Sequence, residues 1–464
     1  MQRHIACCEY NVGGKEMKKA ITYTRMAMGL CLAAIIMLGA TVPAFATPKP
    51  SPTAEAVILI DANTGNVLFE KNSEKVMYPA STTKIMTALV ALDAVKNGEI
   101  SLDQPLTLSQ AAYDSLDIDG SSIALKVGES MTLEGLLQGL LIASGNDAAM
   151  VIAEGICGTV EEFVMRMNEK AKALGLENTS FVNPHGLHHK DHHTTAADMA
   201  KLARAAMQNP AFQGIVECAH IYLPATNMSD KRYFINTNNL VSLMRYPYYF
   251  YDKATGIKTG STSEAGYCLV ASAEDKGKSV ISVVFNAEDI AVSHNESKEI
   301  LQYGLTAFSL KTLAKRDDIF GEVKVKQSAD GTDHILLSAE KNLEALFPEG
   351  GDSEKIEFVT EIPEKVYAPI TSGQIIGKVK FTYDGKEIGS VNLCSTQEVK
   401  RHFFGFVMTF FEWLWSFRAV KFVVYTALGL VVAFITLIIV GFVRALKKSK
   451  RKRRRMNNYN PPRY

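Results

Sequence analysis

Ser81 and Lys84, in the stretch Tyr78-Pro79-Ala80-Ser81-Thr82-Thr83-Lys84, stand three residues apart at the head of a helical run. Apolar residues at Ile85, Leu89, Leu92 and Val95 recur at helical spacing, and Gly98 follows as a stop signal. The spacing therefore predicts a helix with Lys84 one turn beyond Ser81 on the same face. A serine hydroxyl is a poor nucleophile until a base within hydrogen-bond reach takes its proton. A lysine serves as that base when burial and a neighbouring cation lower its pKa enough to leave it partly neutral. Taken alone, the pair equally suits an N-capping serine beside a solvated lysine.

Three further segments must position this pair. Val57–Ile60 and Val67–Phe69 flank Asp61-Ala62-Asn63-Thr64-Gly65, a strand pair around a turn that leads into the Ser81 helix. From Leu133 to Ile152 a helical pattern breaks at Ala143-Ser144-Gly145-Asn146-Asp147. That break sets Ser144 and Asn146 on a loop between two helices, facing a cleft or making a plain helix–helix turn. Thr255-Gly256-Ile257-Lys258-Thr259-Gly260-Ser261-Thr262 precedes a strand at Tyr267–Ser272, with Ser279–Phe285 as its partner. Gly260 has no side chain, so a substrate backbone can lie close to that strand edge.

A Ser-x-x-Lys, a Ser-x-Asn and a Lys-Thr-Gly in that order are the trio of β-lactamases and penicillin-binding proteins. The blocks YPASTTKIMTALVAL, LLIASGNDAAMVIAE, FVNPHGLHHKDHHTTAADMAKLARAAM and GIKTGSTSEAGYCLVASA narrow the likeness. Over about residues 50–395 the chain resembles the low-molecular-mass penicillin-binding proteins, serine-type D-alanyl-D-alanine carboxypeptidases. The resemblance implies an α+β fold: a β-lactamase/transpeptidase-like domain, with an antiparallel sheet flanked by helices and a cleft between a strand edge and the helical part. It implies Ser81 as the nucleophile, Lys84 as the base and Ser144 as the proton relay toward the leaving amine. Asn146 would hold the substrate amide, and Lys258 would lower the pKa of Lys84 and attract the terminal carboxylate. Thr259 would hydrogen-bond that carboxylate, and Gly260 would leave the strand edge open. The backbone N–H groups of Ser81 and Ser261 would form the oxyanion hole, where one donor is worth about 3 kcal/mol. His185 and Asp198 would organise the cleft from behind. The family uses no cofactor or metal, although His185, His188, His189, His192 and His193 cluster in sequence. Members often carry an arginine shortly before the last helix of this domain. Here Ala291–Lys298 has no arginine and only His294 nearby, which would hold a carboxylate less well than a bidentate guanidinium.

The rest of the 464 residues concerns address. A net charge of +1, from 50 Lys and Arg against 49 Asp and Glu, exerts no global pull toward nucleic acid. Lys15, Lys18, Lys19 and Arg25 precede an apolar run from Met26 to Ala40, and Ala44-Phe45-Ala46 is a small-x-small cleavage pattern. Residues 1–46 therefore read as an export signal. Of the seven cysteines only Cys157, Cys218, Cys268 and Cys394 follow it, too scattered for a metal clip or a disulfide framework. Phe422–Val443 is apolar over a bilayer's length, and nine Lys and Arg between Arg444 and Arg455 follow it. That asymmetry predicts a single span at 422–443, a cytoplasmic basic tail at 444–464, and everything earlier outside the cell. Residues 397–421, with Trp413 and Trp415, read as an interfacial segment.

The catalytic domain is expected over 47–310 and a small β-sandwich-like domain over 311–396. Short strands there are punctuated by Gly, Asp and Pro, with Tyr383-Asp384-Gly385-Lys386 as a hairpin turn. The expected partners are peptidoglycan stem peptides ending in D-Ala-D-Ala, β-lactams that mimic that dipeptide, and the membrane through the C-terminal anchor. A β-lactamase would need a dedicated deacylating glutamate, and Glu177-Asn178-Thr179-Ser180 lacks that signature. The same motifs would also serve a D,D-endopeptidase that cuts cross-links, or persist in a wall-binding scaffold that has lost turnover.

Overall fold

The computed structural model describes residues 47–117, 120–402 and 405–457, with Tyr23, Thr24, Met26 and Met28. The expected leader over 1–46 thus lies almost wholly outside the described residues. The chain divides into two compact units, one running up to Leu310 and taking in Leu346–Gly351, the other formed by Lys311–Ala345 and the chain from Asp352 onward.

The first unit is built on an antiparallel five-stranded sheet. Its strands are β1 (Ala56–Asp61), β2 (Val67–Lys71), β5 (Ala254–Thr262), β6 (Gly266–Asp275) and β7 (Lys278–Ala287). They run in the order β2-β1-β7-β6-β5, which leaves β5 at an edge. A smaller hairpin, β3 (His220–Leu223) with β4 (Arg232–Ile235), precedes β5. Every residue of β1 is buried, because both faces of the sheet are covered. Ile58 and Ile60 alternate into one core with the helices α1 (Lys84–Lys96), α2 (Leu133–Ile142), α3 (Asn146–Cys157) and α4 (Ala196–Met207). Val57 and Leu59 point the other way, against Ile300, Leu301 and Leu305 of α5 (Ile290–Thr306).

α1 is buried nearly all round, from Lys84 to Leu92, so its sequence shows little of the one-sided pattern of a surface helix. The expected strand pair, the helix after Ser81 and the break between α2 and α3 are all present. Asn146 differs from expectation: it opens α3 rather than lying in the loop, and Gly145 caps that helix.

In the second unit, six strands form one sheet: β8 (Ile319–Lys326), β9 (His334–Ala339), β10 (Ile356–Glu361), β11 (Lys365–Tyr367), β12 (Ile375–Tyr383) and β13 (Lys386–Ser395). Their order is β10-β12-β13-β9-β8-β11, with β8 and β11 parallel. Asp384 and Gly385 both take positive φ, the backbone a two-residue hairpin turn needs. Phe320 on β8 packs on Phe358 and Phe381, 5.6 and 5.7 Å away, although β8 is remote from β10 and β12 in the sheet order. The sandwich-like interior is therefore one sheet curled on itself around Val323, Leu337, Val379 and Leu393.

Two helices end the described chain, α6 (Gly405–Ser416) and α7 (Arg418–Asn457). α7 starts four residues before the expected span and runs on through the basic cluster. It is the one helix among the described residues long and apolar enough to cross a membrane.

Candidate active site

Ser81 sits in a single 3-10 turn, Ala80–Thr83, that runs directly into α1. This turn sets the serine one step before Lys84, and Lys84 Nζ lies 3.0 Å from Ser81 Oγ. Two more oxygens hold the same nitrogen: Asn146 Oδ1 at 2.7 Å and the carbonyl of His185 at 2.7 Å. Both are acceptors only, so they engage two N–H bonds of the amine. The third direction is the one that faces Ser81, where a neutral amine presents its lone pair.

Lys84 is completely buried. Burial first, and then the ammonium of Lys258, push its pKa well below the ordinary lysine value, while Asp147 opposes them. Lys258, also wholly buried, is itself lowered to about 7 by burial. No carboxylate among the described residues hydrogen-bonds to Lys84, so nothing forces the proton to stay.

Backbone contacts pack the three segments onto the turn. A Cβ on Gly186 would fall 1.9 Å from the carbonyl oxygen of Ala80, and its φ is +90°. Only glycine lets the 183–187 loop bring the His185 carbonyl to Lys84. A Cβ on Gly260 would meet the amides of Ser81 and Thr82 at 2.9 and 3.0 Å. The bare strand edge read as open to a substrate also admits the serine's own turn. Ser144 takes positive φ (65°) between α2 and α3, and Asn146 N donates to the Ser121 carbonyl. Asp147 next to it receives the backbone N–H groups of Ile123 and Leu125, which ties the 120–125 loop to the mouth of α3.

Ser81, Ser144, Thr259, Gly260 and Ser261 share one cavity of about 230 Å³ along the β5 edge. Thr259 Oγ1 donates to Thr237 Oγ1 at 2.8 Å. The cavity also receives Arg245, whose side chain is solvent-exposed and comes from the loop before β5. No arginine stands at 291–298, as expected, but Arg245, 49 positions before His294, brings a guanidinium to the same cavity. His294 lines the same cavity but is buried, and burial depresses its pKa. Its Nδ1–H donates to the Ile290 carbonyl and its Nε2 accepts from Asn239, so the ring is neutral and already occupied.

The two residues expected to organise the cleft act at different depths. His185 reaches Lys84 through its carbonyl, while its ring Nδ1 accepts from Leu187 N. Asp198 accepts from Asn178 N and Thr179 Oγ1, bracing that turn without touching Ser81 or Lys84. His192 does more than its neighbours. Its Nδ1 accepts from Val182 N, so the neutral ring carries its proton on Nε2 and donates to Thr83 Oγ1 at 2.8 Å. Burial first, with neighbouring histidines, lowers its pKa to about 3. No group of three metal-ligating side chains occurs among the described residues. A larger cavity of about 420 Å³, between β1, β2 and α4, holds none of these groups.

Known proteins resemble the chain in sequence and fold. Residues 43–289 match the family model described as D-alanyl-D-alanine carboxypeptidase, and residues 308–401 match that of the penicillin-binding protein 5 C-terminal domain. D-alanyl-D-alanine carboxypeptidase DacF of Bacillus subtilis is 34% identical over 355 residues, covering 76% of this chain and 88% of its own. DacC of Escherichia coli is 31% identical over 418 residues, 86% of this chain and 97% of its own. The crystal structure of penicillin binding protein 5 from Haemophilus influenzae superposes with a TM-score of 0.64 at 30% identity, covering 76% of this chain and 99% of that one. With a serine, a buried lysine and a Lys-Thr-Gly strand meeting in one cleft, and with relatives matched along both units, the chain belongs to the D-alanyl-D-alanine carboxypeptidase family of serine peptidases.

Proposed function

We propose that this chain removes the terminal D-alanine from peptidoglycan stem peptides through an acyl-enzyme on Ser81. The observation that carries the reading is Lys84 Nζ, 3.0 Å from Ser81 Oγ and held by two carbonyl oxygens. Neutral Lys84 takes the Ser81 proton as Oγ attacks the carbonyl carbon of the penultimate D-alanine. The oxyanion forms against the backbone N–H groups of Ser81 and Ser261. As the C–N bond breaks, the proton passes from Lys84 by way of Ser144 to the departing amine. A water then attacks the ester, Lys84 takes its proton, and the same proton returns to Ser81 Oγ as the shortened peptide leaves. Lys258, Thr259 and Arg245 receive the terminal carboxylate. Asn146, read from sequence as the holder of the substrate amide, has its oxygen on Lys84 and serves the base first. β-Lactams acylate Ser81 as mimics of the dipeptide.

Residues 1–46 direct export and 47–310 carry the catalysis. Residues 311–396 form the β-rich domain, 397–421 lie at the outer interface of the bilayer, 422–443 span it, and 444–464 stay cytoplasmic.

The test is D-alanine release by the full chain in detergent micelles from a soluble peptide ending in D-Ala-D-Ala. Release that disappears in Ser81→Ala, with stable penicillin labelling of the unaltered chain, is the expected result. Labelling without release overturns turnover, and rapid penicillin hydrolysis overturns the peptide specificity.

A further inference from the structure

Ile221 and Leu223 of β3 are buried in the helical layer, which turns His220 and Tyr222 to solvent. Tyr222 faces Tyr233 across the hairpin with ring centroids 4.8 Å apart, and His220 lies 5.4 Å from Tyr233. Both tyrosines are exposed, at 57% and 41%. Tyr233 Oη donates to Met244 Sδ at 2.9 Å, and Met244 directly precedes Arg245 and Tyr246 in the cleft wall. These partly exposed rings thus form a ridge beside the loop that carries Arg245 and Tyr246 into the cavity wall. The ridge is anchored: Arg232 on β4 bonds to buried Glu129 and to the Ile123 carbonyl.

We infer that this ridge binds the glycan strand bearing the stem peptide, with pyranose rings stacked on Tyr222 and Tyr233. The inference rests on the proposed carboxypeptidase activity. A peptide held in the cleft by its C-terminus has its other end on a sugar. At ~3.4 Å per residue, a stem of about five residues places that sugar no more than ~17 Å away. The polymer must cross the border of the cleft, and the ridge touches, through Met244, the loop that supplies Arg245 and Tyr246 to that border. The chemistry matches: a pyranose offers C–H faces to the electron-rich faces of aromatic rings, while its hydroxyls stay hydrated. Lys231, 4.9 Å above the Tyr222 ring, supplies a polar partner at the rim. Exposed rings interspersed with cations suit a sugar better than the apolar centre of a protein–protein interface.

The test compares the full chain in micelles with Tyr222→Ala/Tyr233→Ala on two substrates. These are a soluble tripeptide ending in D-Ala-D-Ala and isolated peptidoglycan polymer with intact stems. The double variant is expected to lose about tenfold in kcat/KM on the polymer, through KM, and to keep tripeptide turnover. Tyr222→Phe/Tyr233→Phe keeps the rings and restores polymer turnover. Equal losses on both substrates, or none on either, overturn the inference. A second readout needs no turnover: co-sedimentation of Ser81→Ala chain with peptide-stripped glycan strands, with and without the two tyrosines. Retention that depends on the rings supports the ridge even if no D-alanine is released, a result that would sink the carboxypeptidase reading alone. Retention indifferent to the rings, or a ring-dependent dimer without glycan retention, overturns the ridge.

Discussion

Asn146 provides the sharpest test of the proposed role of Lys84 as base. Its Oδ1 lies 2.7 Å from Lys84 Nζ in a buried setting. Asn146→Ala leaves one N–H of that amine without a partner and lets the lone pair turn from Ser81. An unsatisfied buried donor costs about 1–3 kcal/mol. If the whole cost falls on the acylation barrier, the rate drops about 5- to 160-fold. Asn146→Asp keeps the shape and adds a charge. At 2.7 Å the attraction to a protonated Lys84 is about 6 kcal/mol at an effective dielectric of about 20. Desolvating the new carboxylate opposes this by several kcal/mol, and the surplus raises the Lys84 pKa. The two variants therefore separate by pH. Deprotonating Lys84 restores the base in Asn146→Asp, so its deficit shrinks as pH rises from about 6 toward 10. The deficit of Asn146→Ala is one of orientation and stays constant. The assay is the second-order rate of acylation by a fluorescent penicillin, followed by quenched time courses across that range. An Asn146→Ala rate within about twofold of the unaltered chain, or an Asn146→Asp deficit indifferent to pH, would refute the lone-pair argument.

Lys258 is lowered from 10.5 to about 7, so between those values the unfolded chain holds a proton the native chain has released, and stability rises with pH through that window. Lys258→Met is accordingly expected to raise the melting temperature most below about pH 7, with a gain that fades toward 10.5 while acylation is lost; a pH-independent change in calorimetry contradicts this. Gly186→Ala should destabilise the catalytic unit by about 2 kcal/mol or more in denaturant titration and lose penicillin labelling, because its Cβ would overlap the Ala80 carbonyl at positive φ. Arg245→Leu should raise KM about tenfold for a peptide with a free terminal carboxylate and leave the C-terminal amide of that peptide unaffected. A loss shared by both peptides would remove Arg245 from carboxylate binding.

The scaffold was legible where one residue pattern answers to one environment. The apolar runs of β1, β6 and β7 read as strands because both sides of the sheet are covered. Asp384-Gly385 read as a hairpin turn because few other pairs tolerate two positive φ values in succession. Less was legible where a segment's neighbours are remote. The curl that brings Phe320 onto Phe358 joins strands with no adjacency in sequence or in the sheet, and α7 continues past Val443 because lysine and arginine are good helix formers.

In the cleft the residues the sequence singled out, Ser81, Lys84, Ser144 and Thr259, do lie together, but much of what holds them there was not legible. Arg245 follows no periodic run and stands 13 positions before Lys258, so only the folded loop reveals that it shares a cavity with Thr259. His192 was one of five histidines in nine positions, and nothing in composition distinguishes the ring whose Nε2 donates to Thr83 from its solvent-facing neighbours. Gly260 was legible as a place for close approach, but what approaches is the backbone of Ser81 and Thr82. The two glycines and the carbonyl of His185 act through main-chain atoms that every residue type shares. A motif can therefore single out Ser81 and Lys84 while the 3.0 Å between them depends on positions where the informative feature is a missing side chain. It follows that conservative changes at Gly186 should harm acylation more than removal of the His185 ring, which leaves its carbonyl on Lys84 in place.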